Sequence, residues 1–455
     1  MGDGQVMKKL LLRVQVQQDG PDFIWLEQAD SIAASPGVMS PFNSNPVAEA
    51  IKQMGQGVLI PEIVGDAGHW LYEKIAENAD VQKALNVALN LDDDFPIYIE
   101  LRSDEAEALP WEALRKPDGN FLTLDKRWPI GRVVTTGDER QEYHLDSQVK
   151  VTAVLAATGV DARAEWDGLW AAIGAADLPV ILQVLLCQED LATHINSLNI
   201  PDSTVSFFND ESELLTAIRQ FEPNVIHFFC HGSTEHKTPR LLLATKSDWL
   251  IGESNVQLYP AVLAEGSTTL NAWLVTLNCC RGAAPVEQAQ SLARSLVAAG
   301  FPAVIGMREA VASTDANIFC RELYNVVFAE LKKCSETDGK WVEVCWAKML
   351  HGARRRLALQ HAQGQPLPHA AAELKEWTLP TLYVRRMPFR IRGRSKNEHL
   401  SEVERQKKQT KLTALRQARD VLQTSPGTPL AVLSEIDQQI TQLEEELYPG
   451  APPNG

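Results

Sequence analysis

A regular alternation of short apolar strands and amphipathic helices, beginning at Val149, most limits what this chain can fold into. The segments VKVTAVLAA, PVILQVLL and NVIHFF have the length and the β-branched content of buried strands. The segments EWDGLWAAIG and ESELLTAIRQF have helical periodicity. Strands that alternate with helices form a parallel sheet with both faces covered. The sequence therefore predicts an α/β fold.

The alternation continues through AWLVTLN and PAVIGM and ends near Trp377 to Tyr383. We assign residues 141–390 to the α/β domain and residues 1–140 to a mixed N-terminal region packed on it. Residues 395–455 are predicted to form a helical hairpin, because TSPGTP separates two helical runs. In the second run, apolar residues repeat at the spacing of a coiled-coil seam, at Leu433, Ile436, Ile440, Leu443 and Leu447.

The composition excludes several classes of protein. The 455 residues are 45% hydrophobic and carry a formal net charge of -16. A nucleic-acid-binding protein needs a basic face, so we expect no nucleic-acid partner. Apolar runs long enough to span a membrane are missing, so we expect no membrane association and a cytoplasmic location. An odd number of cysteines without a signal peptide predicts reduced thiols.

Two of the predicted strands end in residues that suit covalent catalysis. The strand VIHFFCHG ends at His231 and Gly232, and the strand LVTLNCCRG reaches Cys280. In open α/β sheets, functional groups collect beyond the carboxyl ends of the strands. The segment NCCRG is close to the caspase signature Q-A-C-[RQG]-G, whose histidine lies about 50 residues upstream. Positions 231 and 280 match that separation.

These residue types fit acyl transfer. A thiolate is the attacking species, so Cys280 needs a nearby base, and the imidazole of His231 suits that task and protonation of the leaving amine. The tetrahedral oxyanion needs main-chain N–H donors. We predict that the amides of Gly232 and Cys280 supply them, because a residue without Cβ allows close approach of a substrate.

Metal binding is the competing use of a histidine and cysteine cluster. His227 and His231 share a strand face but stand four residues apart, about 13 Å at the usual rise. That distance is too long for one tetrahedral ion. The chain also lacks a P-loop and a Rossmann glycine motif. We therefore predict no metal and no cofactor, and we expect His227 to pack beneath the site.

Several segments together resemble the CHAT family, bacterial peptidases related to caspases and separases. They are LPWEALRKPDGNFL, VIHFFCHG, WLVTLNCCRGA, SLARSLVAAGFPAVIGMREAV and EWTLPTLYVR, and they cover most of residues 90 to 390. The resemblance implies a caspase-like parallel-sheet sandwich and catalytic roles for His231 and Cys280. The family commonly has one cysteine where this chain has two, and the register of the motif favours Cys280 over Cys279.

The resemblance also implies a function. A caspase-like cysteine endopeptidase would cleave protein or peptide substrates as a regulated effector in bacterial defence, including antiviral defence, or in stress signalling. An activating partner, or self-association through the C-terminal hairpin, would switch it on. Two alternatives stay open: a catalytically silent scaffold that acts through its C-terminal helices, and a transferase or amidase with a closed pocket for small molecules.

The resemblance to caspase-like folds points to one substrate-binding segment. The strand after the helix that follows Cys280 would border the pocket for the residue before the cut. This strand contributes Met307, Arg308 and Glu309. A buried carboxylate needs converging cations, and the segment offers one cation beside one anion, so we predict a basic or uncharged residue before the cut.

Overall fold

We describe the protein from a computed structural model. The structure describes residues 9–15, 23–28, 36–38, 61–89, 94–136, 141–146, 148–235, 238–265, 271–279, 287–309, 311–337, 339–393, 396–424 and 430–447. The chain divides into two compact units: Met1–Glu336 with Trp341–Arg392, and Thr337–Lys340 with Gly393–Gly455. None of the described helices combines the length and the apolar character that crossing a membrane requires.

The first unit contains one large sheet and one small sheet. Their strands are β1 (Leu10–Gln15), β2 (Phe23–Gln28), β3 (Pro36–Val38), β4 (Ile97–Leu101), β5 (Ile130–Val134), β6 (Gln141–Leu145), β7 (Val149–Leu155), β8 (Val180–Leu186), β9 (Ser203–Ser206), β10 (Val225–Glu235), β11 (Thr238–Leu243), β12 (Val256–Leu258), β13 (Leu274–Cys279), β14 (Ala303–Met307), β15 (Trp341–Glu343), β16 (Pro380–Arg385) and β17 (Phe389–Gly393).

The large sheet has 14 strands among the described residues. Its order is β3-β2-β1-β4-β5-β16-β14-β13-β10-β7-β8-β9, with β11 and β12 added beside β10. The pairs β7–β8, β7–β10, β10–β13 and β13–β14 are all parallel. An α/β fold with a mainly parallel central sheet is therefore confirmed. Strands from 1–140 and from 141–390 belong to this one sheet.

In the first unit, helices cover the sheet on both faces. The described α-helices of the whole chain are numbered together. In chain order they are α1 (Val64–Ala76), α2 (Ala79–Leu89), α3 (Asp104–Ala108), α4 (Arg163–Ala175), α5 (Glu189–Ser197), α6 (Glu211–Phe221), α7 (Lys246–Ile251), α8 (Pro260–Ala264), α9 (Glu287–Ala298), α10 (Ser313–Ser335), α11 (Trp346–His361), α12 (Leu367–Ala370), α13 (Lys396–Thr424) and α14 (Leu430–Leu447), the last two in the second unit.

Strand β10 shows how the two faces are separated. Val225 and Phe229 belong to a core that includes residues of α4 and α10. Ile226, Phe228 and Cys230 belong to a second core that includes residues of α6 and α9. Successive side chains of a strand point to opposite faces, so a strand buried on both sides reads as a continuous apolar run. This geometry explains the unbroken apolar character of NVIHFF.

The second unit is a pair of helices, α13 and α14. Leu412 and Leu443 are buried between them, and Leu415 and Ile440 pack against that pair. The Arg416 guanidinium lies 2.5 Å from the Glu444 carboxylate across the helices. The apolar stripe predicted on the second helix therefore packs, at Ile440 and Leu443, against the first helix of the same hairpin.

Candidate active site

His231 lies where the parallel part of the sheet gives way to an antiparallel ribbon. β10 pairs with β13 up to Cys230 and Cys279, and from His231 onward it pairs antiparallel with β11. The interpretation that this strand ends at His231-Gly232 is wrong, because β10 continues to Glu235. β11 supplies main-chain hydrogen-bond partners beyond the parallel sheet, so the chain stays extended there.

A main-chain carbonyl holds the imidazole ring of His231. The Nε2 atom is 2.8 Å from the carbonyl oxygen of Thr158, in the segment that follows β7. A carbonyl oxygen only accepts hydrogen bonds, so this contact assigns the ring proton to Nε2. In the neutral ring Nδ1 is then unprotonated, and it has no hydrogen-bond partner among the described residues. His231, only 7% exposed, is thus oriented with a basic nitrogen available.

Thr158 is itself fixed by its side chain. Its Oγ1 donates to the carbonyl of Glu253 at 2.5 Å and also contacts the hydroxyl of Ser254. These contacts tie the segment after β7 to the segment between α7 and β12. The contacts of the Thr158 side chain therefore fix the position of the carbonyl group that orients His231.

The predicted nucleophile, Cys280, lies outside the described residues. Strand β13 ends at Cys279, immediately before it in the chain. Cys230 pairs with Cys279, so His231 and Cys280 are the residues that follow two paired positions of neighbouring strands. Neighbouring strands lie about 4.8 Å apart. The last described residue before the predicted nucleophile, Cys279, is therefore paired with the residue that precedes His231.

Of the two predicted oxyanion donors, one is described. Gly232 lies within β10, opposite Leu241 of β11. It is part of an antiparallel ribbon and not of a turn. The second predicted donor is the amide of Cys280.

A group of polar side chains lies buried beneath the two strand ends. We call it the dyad-side cluster, and it consists of Glu165 on α4, His227 on β10, Asn278 on β13 and Tyr324 on α10. Asn278 Nδ2 donates to Glu165 Oε1 at 2.5 Å and to the carbonyl of Ala316 at 2.9 Å. His227 Nε2 lies 2.9 Å from the same Glu165 oxygen, off the N–H axis, and its Nδ1 lies 3.1 Å from the Tyr324 hydroxyl.

The surroundings of this cluster keep its phenol and its neighbouring thiol uncharged. Burial raises the pKa of Tyr324 well above its ordinary value. Burial, with Glu165 nearby, also raises the pKa of the Cys320 thiol well above its ordinary value. Glu165, His227 and Cys320 are the group among the described residues whose ligand atoms, within 4.8 Å of one another, could hold a metal. His227, which we expected to pack beneath the site, is a fully buried residue whose Nδ1 contacts the Tyr324 hydroxyl.

The three predicted substrate-binding residues are all largely covered. Met307, Arg308 and Glu309 are 1%, 4% and 7% exposed. Met307 ends β14 within the apolar core. The Glu309 carboxylate accepts a hydrogen bond from Lys375 Nζ. Arg308 Nη2 donates to the carbonyl of Ala108.

Arg308 also belongs to a second buried polar group, which we call the arginine cluster: Glu112, Arg132, Arg308 and Arg354. Arg132 donates to both carboxylate oxygens of Glu112, at 3.0 Å and 2.8 Å. Burial and the neighbouring Arg132 lower the pKa of Arg308 to about 10. Burial also lowers the pKa of Arg354 to about 10. The LPWEAL motif therefore supplies the carboxylate that balances buried guanidinium groups.

Sequence reasoning missed Thr158, Glu165 and Tyr324. Thr158 acts through its carbonyl, which every residue possesses, so no sequence signal could have found it. Glu165 did leave a signal, because it precedes the buried residues Leu169 and Ala172 at helical spacing and so shares their inward face. A carboxylate on the apolar face of a helix indicates a buried partner.

The comparisons with known proteins agree with the motifs. The CHAT domain model matches residues 65–335, more than half of the chain. The fold and the match together define a protein with a caspase-like peptidase fold. The protein belongs to the CHAT domain family. No curated protein matches the chain.

Two similar solved structures are crystal structures of the separase–securin complex of Saccharomyces cerevisiae. The one at 2.6 angstrom resolution is 10% identical, with a TM-score of 0.41, and the match covers 85% of this chain and 30% of that chain. The one at 3.0 angstrom resolution is 12% identical, with a TM-score of 0.34, and covers 69% and 17%. This protein therefore spans less than a third of the chains that it matches.

Proposed function

We propose that this protein is a cysteine endopeptidase in which Cys280 is the nucleophile and His231 transfers protons. The observation that carries the proposal is the hydrogen bond from His231 Nε2 to the Thr158 carbonyl, which leaves Nδ1 as the basic atom. This ring lies on the strand beside the one that leads to Cys280. Membership of the CHAT domain family supports the same chemistry.

The reaction is peptide-bond hydrolysis through a thioester. The Cys280 thiol gives its proton to His231 Nδ1, and the thiolate attacks the scissile carbonyl carbon. The amides of Gly232 and Cys280 donate to the oxyanion. The imidazolium then protonates the leaving amine as the C–N bond breaks, and a water molecule, deprotonated by the same ring, hydrolyses the thioester. The Thr158 carbonyl keeps Nε2–H in place throughout.

A peptide-library assay with matched cysteine variants tests the proposal. Cys280→Ala and His231→Ala should each lower kcat/KM by at least about 10³-fold. Cys279→Ala, the adjacent thiol, is the control and should retain most of the activity. Thermal unfolding of each variant checks that the fold survives. A dead Cys279→Ala beside an active Cys280→Ala would reassign the nucleophile, and an inactive wild type across the library would contradict the function.

The proposal extends to the residue before the cut. We propose that Met307, Arg308 and Glu309 border its pocket and that Glu309 recognises a basic side chain. Glu309 is ion-paired with Lys375, so a basic substrate group would take the place of Lys375 Nζ. Lys375→Met should therefore strengthen the preference for Arg or Lys, and Glu309→Gln should weaken it. Fluorogenic peptides that vary only that position measure both, and cleavage after Asp would assign recognition to Arg308 instead.

Regulation is the last part of the proposal. A reducing cytoplasm keeps a nucleophilic thiol active, and an effector in antiviral defence or stress signalling must stay off until it is triggered. We assign the trigger to a protein partner or a second copy bound by residues 395–455, whose hairpin exposes Val421 and Val432. Truncation after Arg394 should uncouple activity from the trigger. A wild-type protein that binds its partner but cleaves no peptide would instead favour the alternative of a catalytically silent scaffold.

A further inference from the structure

One carboxylate oxygen connects the two strands that carry the dyad. Glu165 Oε1 accepts a hydrogen bond from Asn278 Nδ2 at 2.5 Å and lies 2.9 Å from His227 Nε2. Asn278 is on β13, two residues before Cys280, and His227 is on β10, four residues before His231. Glu165 lies on α4, which packs against the sheet, and its carboxylate contacts one residue of each strand.

The rest of the dyad-side cluster ties the same strands to α10. Asn278 Nδ2 also donates to the carbonyl of Ala316, in the first turn of that helix, at 2.9 Å. The Tyr324 hydroxyl lies 3.1 Å from His227 Nδ1. Its phenol keeps its proton and can donate to Nδ1, which leaves the ring proton on Nε2, facing Glu165. Each strand therefore has its own contact with α10.

Main-chain pairing and apolar packing also hold these two strands together. β10 and β13 are paired through their main chains from Val225 to Cys230, with apolar cores on both faces. A fully buried carboxylate and imidazole carry a desolvation cost that apolar residues of similar volume would avoid. The cluster instead fixes the positions of β10 and β13 relative to α4 and α10.

We infer that Glu165 and Asn278 are positioning residues that hold the end of β13, and so Cys280, in line with His231. The inference rests on the proposed function of the dyad. Neither side chain touches the substrate or the thiol in this scheme. Their loss should act on the chemical step, because a nucleophile displaced by about 1 Å can lose about 10²-fold in rate.

A metal would be the other explanation of this cluster, since Cys320 completes a group of three possible ligands. Both ring nitrogens of His227 already face Tyr324 and Glu165. The Cys320 Sγ in turn lies 3.8 Å from the main-chain carbonyl of Glu165, to which its S–H can donate. These contacts favour a hydrogen-bonded cluster, and metal content is measured in the test below.

The test compares Asn278→Ala and Glu165→Gln with Leu277→Val, a control on the same strand whose side chain enters the opposite core. Asn278→Ala should lower kcat by about 10²-fold with little change in KM. Glu165→Gln keeps an oxygen that can accept a hydrogen bond from Asn278, so this variant should retain most of the wild-type kcat. Leu277→Val should lose stability but keep kcat.

Alkylation of Cys280 by iodoacetamide, followed by peptide mass spectrometry, gives a readout that needs no substrate. Asn278→Ala should slow this reaction by about tenfold, because His231 no longer deprotonates a displaced Cys280 efficiently. If the wild type cleaves no peptide, the proposed function fails and the alkylation rates still decide the positioning role. If Asn278→Ala does not fold, Tyr324→Phe replaces it, with a smaller expected loss of a few-fold.

Three results would overturn the inference. The first is a folded Asn278→Ala protein with wild-type kcat and wild-type alkylation. The second is a Leu277→Val control that loses as much kcat as Asn278→Ala. The third is one equivalent of zinc in the purified wild type that is lost in Cys320→Ser, measured by elemental analysis.

Discussion

The arginine cluster and the dyad-side cluster are both buried and polar, but their charges are balanced differently. The arginine cluster places three guanidinium groups around the fully buried carboxylate of Glu112. The dyad-side cluster pairs one carboxylate with one imidazole, and its other members are an amide and a phenol. The first has a surplus of cations, whereas the second is joined by hydrogen bonds between Asn278 and Glu165 and between Tyr324 and His227.

This difference in charge balance indicates which property of the protein each cluster controls. Where cations outnumber the buried anion, the anion determines whether the region folds, since an uncompensated buried charge is costly. Where opposite or neutral groups face one another, the hydrogen-bond geometry determines where the attached strands point. We therefore expect the arginine cluster to govern stability and the dyad-side cluster to govern the rate of the chemical step.

The largest expected effect is on stability, from Glu112→Gln. The amide keeps the shape but removes the buried carboxylate charge that faces Arg132, Arg308 and Arg354, so the free energy of unfolding should fall by about 3–5 kcal/mol. Urea unfolding measures it. Glu73→Gln, at an exposed glutamate of α1, is the control and should change stability by less than about 0.5 kcal/mol. A loss below about 1 kcal/mol in Glu112→Gln would break the comparison.

The same carboxylate should make stability depend on acid pH. Burial alone would raise the pKa of Glu112, but Arg132, Arg354 and Arg308 together outweigh burial and the pKa is lowered from 4.5. The contribution is therefore complete above the unfolded pKa and is lost as the pH falls through the lower folded pKa. From about pH 5 downward, the free energy of unfolding should fall more steeply in the wild type than in Glu112→Gln. Parallel pH profiles would contradict this.

A smaller loss is expected from Tyr324→Phe in the dyad-side cluster. The ring keeps its packing against His227 and Phe328, whereas the hydroxyl contact to His227 Nδ1 disappears. The free energy of unfolding should fall by about 1 kcal/mol. Denaturant unfolding measures the change, and a loss as large as that of Glu112→Gln would show that both clusters control stability alike.

The smallest effect on stability should come from Arg308→Met. Burial and Arg132 both disfavour the charge of Arg308, and its Nη1 has no hydrogen-bond partner among the described residues. Methionine has a similar length, so the free energy of unfolding should change by less than about 1 kcal/mol in either direction. If Arg308→Met and Glu112→Gln lowered the free energy of unfolding equally, Arg308 would be as important for stability as Glu112, which would contradict the comparison.

Local patterns predicted much of the fold. The apolar runs before His231 and Cys279 are the parallel strands β10 and β13, and the run TDANIFCRELYNVVFAELKK lies in α10. Periodicity is set by neighbouring residues, so these elements could be read from the chain. The extension of β10 to Glu235 could not, because it depends on β11 as a partner.

The sequence by itself determined which segments form strands and helices, and that an imidazole and a thiol stand at the ends of two apolar runs. Tertiary structure alone decided that β16 lies between β5 and β14, and that the Thr158 carbonyl faces His231 across 73 residues of chain. It also decided that Glu165 meets Asn278. Periodicity is local, whereas pairing joins segments distant in the chain, and a main-chain carbonyl is the same in every residue.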